Sequence, residues 1–174
     1  MQDKGKRIVL VGYMYSGKTT IGKKLAQHLD YKFYDIDTEI ENKIHHSVAD
    51  IFKLFGEDTF RKLEQQTLKE LLQKDDVIIA CGGGTPCFFD NMQQIKEKSI
   101  SIYIKVDIKH IIARQKYSKA ERPLLSDKTE KEIRQYITES LDDRKKYYSQ
   151  ADIISEDFNF SIKSIVEKLS NFDK

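Results

Sequence analysis

One stretch constrains this chain more than any other: Gly12-Tyr13-Met14-Tyr15-Ser16-Gly17-Lys18-Thr19, directly after the apolar run Ile8-Val9-Leu10-Val11. It fits the pattern G-x-x-x-x-G-K-S/T, which carries meaning because a β-branched run precedes it and a helical pattern, Thr20 to Leu29, follows. The glycines let the backbone turn so that successive N–H groups point inward and form an anion-binding nest. Lys18 adds a mobile cation for the outer phosphates, and the Thr19 hydroxyl suits magnesium. The helix that starts there aims its positive end at the same anion. Gly12, Tyr15, Ser16, Gly17, Lys18, Thr19 and Thr20 therefore form the candidate phosphate site. The chain is expected to bind a nucleoside phosphate.

Beyond this loop, strand-like and helix-like patterns alternate. Ile8 to Val11 is apolar without interruption, as a strand buried on both faces requires. The following helix carries Ile21, Leu25 and Leu29 on one face, and a short strand, Lys32 to Tyr34, runs into Asp35-Ile36-Asp37. Helical pattern continues to Lys74, with Ser47 as an N-cap and Gly56 as a break. Beyond the break, Phe60, Leu63, Thr67, Leu68, Leu71 and Leu72 point inward. Val77 to Ala80 is a buried strand that leads into Gly82-Gly83-Gly84, and Asp90 opens a helix to about Lys98. Ile100 to Val106 is a strand with its isoleucines on one face, and Asp107 caps the next helix. Lys116 to Asp127 is a basic, proline-containing loop, and Thr129 to Glu132 is a capping box that opens a helix to about Tyr148. Ile153-Ile154 and Ser161 to Leu169 supply the last strand and helix. Such alternation, with a phosphate loop after the first strand, predicts a three-layer, doubly wound α/β domain on a parallel sheet, one domain over 1–174.

Composition removes several function classes. Thirty basic against 28 acidic side chains leave a net charge of +2, whereas a nucleic-acid binder usually shows a larger, segregated excess; no nucleic-acid partner is expected. No apolar run approaches the roughly 18 residues of a membrane span. The charged start, Met1 to Arg7, leads straight into a strand, so no signal peptide is expected. Two cysteines, Cys81 and Cys87, make neither a disulfide framework nor a zinc site, which fits a reducing cytoplasm.

A phosphate loop alone does not separate kinases from switches and motors. Three further features narrow the choice. Asp35 and Asp37 stand at the end of the second strand, where the crevice of an α/β sheet opens. One carboxylate can hold water on magnesium while the other accepts a substrate proton; alternatively, Asp37 caps the next helix and Asp35 is a solvated turn residue. Arg61 has Glu57 and Glu64 at i−4 and i+3, beside the face that carries Phe60 and Leu63. This is either a surface ion pair or a guanidinium held to grip a substrate carboxylate. The triple glycine costs backbone entropy and packs nothing, so close approach of backbone to a ligand or a slack turn must explain it.

Together these pieces resemble shikimate kinase, from the phosphate loop to Ala151-Asp152. The matching motifs are Gly-x4-Gly-Lys-Thr-Thr-Ile-Gly, Asp35-x-Asp37, Gly56-Glu57-x-x-Phe60-Arg61-x-x-Glu64, Gly82-Gly83-Gly84, Arg122-Pro123-Leu124-Leu125 and Arg144-x-x-x-Tyr148-x-x-Ala151-Asp152. The resemblance implies a nucleoside-monophosphate-kinase-like fold on a five-stranded parallel sheet ordered 2-3-1-4-5, with a mobile lid at about 115–127 and a shikimate-binding helical region at about 37–62. It implies transfer of the ATP γ-phosphoryl group, with magnesium, to the 3-hydroxyl of shikimate on the way to the aromatic amino acids. Lys18 and Thr19 then take phosphates and magnesium, Asp35 supports the metal through water, and Asp37 is the candidate base. Arg61 and Arg144 grip the substrate carboxylate, and Gly82, Gly83 and Gly84 line its pocket. Arg122, in the lid, reaches the phosphates, and Arg114 packs on adenine. Tyr15 and Ser16 stand where small residues are common, so Tyr15 is expected to extend toward solvent or the lid. Cys81 stands where Thr or Ser is frequent.

Other readings make different demands. A GTPase switch needs a guanine-reading Asn/Thr-Lys-x-Asp, and Asn42-Lys43-Ile44-His45 lacks the aspartate. A gluconate or nucleoside monophosphate kinase shares the loop and lid without needing paired arginines beside a triple glycine. A non-catalytic nucleotide-binding regulator is expected to lose Lys18, Asp37 or Arg122, and all three are present. The expectation is a cytoplasmic monomer that takes ATP and a small-molecule substrate.

Overall fold

Five short strands carry the architecture: β1 (Arg7–Val11), β2 (Lys32–Asp35), β3 (Val77–Ala80), β4 (Ile100–Ile104) and β5 (Ile153–Ser155). All neighbouring pairs are parallel, in the order β2-β3-β1-β4-β5. The computed structural model describes residues 7–118, 123–125, 128–156 and 161–172. Connecting the strands are α1 (Lys18–Leu29), α2 (Ile36–Ile44), α3 (Val48–Leu71), α4 (Asn91–Lys98), α5 (Ile108–Tyr117), α6 (Glu130–Tyr148) and α7 (Ile162–Phe172). Short 3-10 turns lie at Thr85–Cys87 and Pro123–Leu125.

The sheet separates two apolar layers, as period-two side-chain alternation requires. Ile8 and Leu10 of β1 pack with Leu25 of α1 and Ile165 of α7, while Val9 and Val11 pack with residues of α2, α3, α4 and α6. Helices on both faces bury the central strands completely, and β4 shows the consequence. Ser101 and Tyr103 alternate with the isoleucines of this strand and are as buried as they are. A buried serine needs partners. Asp152 supplies them, accepting from the Ser101 backbone N–H at 2.8 Å and from its hydroxyl at 2.6 Å, which also pins β5 to β4.

Local signals are honoured at the helix ends. Ser47, Asp107 and Thr129 accept hydrogen bonds from N–H groups of their helices' first turns, and Thr129 forms the full capping box with Glu132. Gly56 adopts φ 79°, ψ 169°, a conformation that kinks α3 and that side chains other than glycine rarely take. Among the described residues no helix is long and apolar enough to cross a membrane.

The topology places the site. β2, β3 and β1 are adjacent, and Ala80 is level with both Leu10 and Asp35. The segments leaving their carboxyl ends are Asp35–Asp37, the triple glycine and the phosphate loop. Parallel pairing therefore brings all three to one edge of the sheet.

Candidate active site

The donor half is built from the phosphate loop. Gly12 (φ 145°), Tyr15 (φ 64°) and Gly17 (φ 94°) take left-handed backbone conformations, and Gly17 is the N-cap of α1. A Cβ on Gly12 would lie 2.8 Å from the carbonyl oxygen of Ile104, so the loop can cross the end of β4 only without a side chain there. Helix α1 starts at Lys18, earlier than expected, because the left-handed cap turns the chain at once into the helix. The Lys18 ammonium is buried and donates to the carbonyls of Gly12 and Tyr13, both at 2.8 Å. Its charge is thus stored inside the loop. Ser16 is fully buried, and Thr20 lines the cavity at the loop's mouth.

Thr19 donates from Oγ1 to Asp35 Oδ2 at 2.7 Å. Asp35 is also the N-cap of α2, accepting from the Asp37 backbone N–H at 3.2 Å. The capping alternative raised by the sequence is therefore corrected: Asp35 caps the helix, and Asp37 sits in its first turn. A hydroxyl and a carboxylate, both hard oxygen donors, at the mouth of a phosphate nest fit Mg2+. Among the described residues no group of three or more His, Cys, Asp or Glu side chains could hold a metal ion by itself.

The acceptor half centres on Arg61. The surface-pair reading fails, because Arg61 is 4% and Glu64 1% exposed. Arg61 Nη1 donates to Glu64 at 2.6 Å; Nη2 and Nε donate to Glu57 at 2.8 and 3.1 Å. The Phe88 ring centroid lies 4.4 Å from the guanidinium carbon. Burial alone would depress this guanidinium, but the two glutamates outweigh it and hold its pKa up. Burial pushes the Glu64 carboxyl up, opposed by Arg61 and by Thr85, whose hydroxyl donates to it. Arg144, from α6, faces Arg61 across the same cavity, together with Asp37 and Gly82 to Gly84.

The triple glycine has a steric explanation. A Cβ on Gly82 would lie 2.6 Å from Glu64 Oε1 and 3.0 Å from Asp37 Oδ1; one on Gly84 would lie 2.6 Å from Arg61 Nη1; one on Gly83 would lie 3.1 Å from the Met14 backbone nitrogen. The close approach is to the site's own side chains and to the phosphate loop, not only to a ligand. Tyr148 donates to the Gly83 carbonyl and fixes that turn from above.

Asp37, Met14, Gly82 and Gly83 line both the acceptor cavity and the phosphate cavity. The two cavities therefore meet at Asp37. Arg114 of α5 donates to the Tyr15 carbonyl at 3.0 Å, which places it on the flank of the phosphate loop. Tyr15 itself is half-buried, with part of its side chain packed against the core. Leu124, from the short turn Pro123–Leu125, lines the acceptor cavity, and Leu125 is buried. Arg122 and much of the basic loop lie outside the described residues. Burial raises both thiols, that of Cys87 to about 11, so both stay protonated at neutral pH.

Sequence reasoning did not assign Met14, Glu64 and Thr85 to the site. Glu64 was visible as a partner of Arg61, and Thr85 directly follows the glycines. Nothing in the string marked Met14, because its role arises from where the loop crosses the neighbouring strand end.

The family model for shikimate kinase matches residues 14–173. A shikimate kinase from Parabacteroides distasonis is 40% identical over 166 residues, covering 95% of this chain and 96% of the relative. The crystal structure of shikimate kinase from Bacteroides thetaiotaomicron superposes with a TM-score of 0.86 at 35% identity, covering 95% of this chain and 97% of that one. The shikimate kinase from Acinetobacter baumannii, solved in complex with shikimate, gives a TM-score of 0.86 at 30% identity, covering 97% and 92%. The chain belongs to the shikimate kinase family, and it is an enzyme that transfers a phosphoryl group from ATP, with Mg2+, to shikimate.

Proposed function

We propose that this chain phosphorylates the 3-hydroxyl of shikimate across the seam between its two cavities. The observation that carries the reading is the position of Asp37, which faces the phosphate loop on one side and the Arg61–Arg144 pair on the other. The two arginines take the acceptor's carboxylate, a planar anion suited to guanidinium forks. Arg61 is already fixed by Glu57 and Glu64, so little ordering remains for binding to impose. With the carboxylate held there, Asp37 lies on the path of the acceptor hydroxyl and takes its proton as oxygen attacks phosphorus. Gly82, Gly83 and Gly84 line this half of the site.

On the donor side the nest from Gly12 to Thr20 holds the phosphates, and Lys18 turns from its carbonyl partners to the outer phosphate oxygens. Thr19 through its hydroxyl, and Asp35 through water, would hold Mg2+, which supplies neutralisation of phosphate charge. Arg114 packs on adenine from its place beside the loop. Arg122, carried by a lid at about 115–127, adds a second cation, and the helical region at about 37–62 closes on shikimate. The burial of Leu125 and the position of Leu124 over the acceptor support that lid. The protein acts as a single-domain monomer in the cytoplasm without a nucleic-acid partner, in keeping with its near-balanced charge.

A coupled ADP-release assay with ATP, Mg2+ and shikimate, quinate, gluconate or nucleoside monophosphates tests the reading. Turnover is expected with shikimate, and Arg61→Ala and Arg144→Ala raise the shikimate KM. Absence of shikimate-dependent turnover overturns it. Limited proteolysis within residues 116–128 slows most when nucleotide and shikimate are both present. Equal cleavage with and without ligands contradicts the lid.

A further inference from the structure

The two arginines of the acceptor cavity are held in different ways. Arg61 has two carboxylate partners. Arg144 has no ion pair among the described residues. A half-buried guanidinium without a carboxylate needs other contacts to set its direction. Those contacts are aromatic. Tyr148 adjoins it on the same helix face, and the Tyr13 ring centroid lies 5.4 Å from its guanidinium carbon.

Tyr13 is an unusual neighbour for this arginine because it belongs to the phosphate loop. Its side chain is 1% exposed, and its hydroxyl lies 2.6 Å from Ser140 Oγ. Ser140 gives its one proton to the Tyr136 carbonyl at 2.5 Å, so Tyr13 is the donor in the Tyr13–Ser140 bond. Burial pushes the Tyr13 hydroxyl up to about 12, which keeps it a donor at working pH. Ser140 and Arg144 are one turn apart on α6 and share a face. Meanwhile the Tyr13 carbonyl accepts from the Lys18 ammonium. One residue thus touches the phosphate-binding lysine through its backbone and the carboxylate-binding arginine through its ring.

We infer that Tyr13 is a positioning residue for Arg144, aiming that guanidinium at the acceptor's carboxylate from within the phosphate loop. The inference rests on the reading of Arg144 given above. The hydroxyl anchors the ring to α6, and the ring face sets the plane of the guanidinium. In Tyr13→Leu the pocket keeps an apolar side chain, but the cation loses the ring face that holds it.

Steady-state kinetics on five variants tests this, with shikimate and its uncharged methyl ester as acceptors. Tyr13→Leu raises the shikimate KM about tenfold, the size of a partly desolvated cation–π contact, with smaller changes in kcat and in the ATP KM. Tyr13→Phe, which keeps the ring, recovers most of the affinity. Ser140→Ala, which leaves the loop intact, raises the KM about two- to threefold through the loosened ring. For the methyl ester, Tyr13→Leu changes little. In the Arg144→Ala background it adds nothing, because the contact is already gone. Equal KM increases for acid and ester, or an undiminished Tyr13→Leu effect on Arg144→Ala, overturn the positioning role. An unchanged shikimate KM in Arg144→Ala alone overturns the reading of Arg144 itself, a distinct result.

Discussion

Asp37→Asn lowers kcat about 100- to 10,000-fold, the range for removal of a positioned general base, while equilibrium binding of ATP is largely kept. The substitution conserves shape. The backbone N–H of residue 37 still bonds to Asp35, so the first turn of α2 and the Thr19–Asp35 pair keep their places. What disappears is the carboxylate at the junction of the two cavities. An amide there cannot accept the proton released as the acceptor oxygen attacks. Rapid-quench turnover and nucleotide-binding calorimetry on the same preparation separate the two effects. Parallel loss of ATP affinity would place Asp37 in nucleotide binding instead, and unchanged kcat would remove it from proton transfer.

Glu64→Ala produces the largest loss of stability, about 3–5 kcal/mol, the usual cost of leaving one member of a buried ion pair uncompensated. At roughly 2–4 °C per kcal/mol for a chain of this size, the melting temperature falls on the order of 10 °C. The reason lies in the network around it. Glu64 is 1% exposed and satisfies both Arg61 and the Thr85 hydroxyl. Thr85 in turn offers its carbonyl to Asn91, the first residue of α4. Removal of the carboxylate leaves Arg61 buried with Glu57 alone, and Glu57 is largely solvated. The surviving folded enzyme then shows a raised shikimate KM, because the guanidinium has lost the partner that fixes its fork. Glu64→Gln, which can still accept from Thr85, melts between the two. A Glu64→Ala protein that melts with the wild type and keeps its shikimate KM would show that the pair is not coupled to the site.

How much of this was readable without the fold depends on the range over which each residue acts. The phosphate loop, the caps at Ser47, Asp107 and Thr129, the break at Gly56 and the buried strands rest on chemistry within a few residues, and they stand where expected, within a residue or two at most ends. Arg61 is a harder case. Its spacing to Glu57 and Glu64 is visible in the string and fits an exposed helix pair equally well. Only the packing of Phe60, Phe88 and Gly84 around it removes the water and turns a weak surface contact into a fixed fork. Asp35 and Asp37 were recognised as a pair, but which of them caps α2 is decided by the fold, where Asp35 accepts from the Asp37 N–H and meets Thr19.

The chain's own order of residues determines the class of fold and the donor chemistry, because a nest of N–H groups, a lysine and a hydroxyl lie together in one contiguous segment. The acceptor half has no such segment. Asp37, Arg61, Gly82 to Gly84 and Arg144 are scattered along the sequence and meet only because β2, β3 and β1 are neighbours and α6 lies across their carboxyl ends. The contact between Tyr13 and Arg144 belongs to the same category. Parallel pairing and helix packing, which act between residues far apart in the chain, decide which side chains share a cavity.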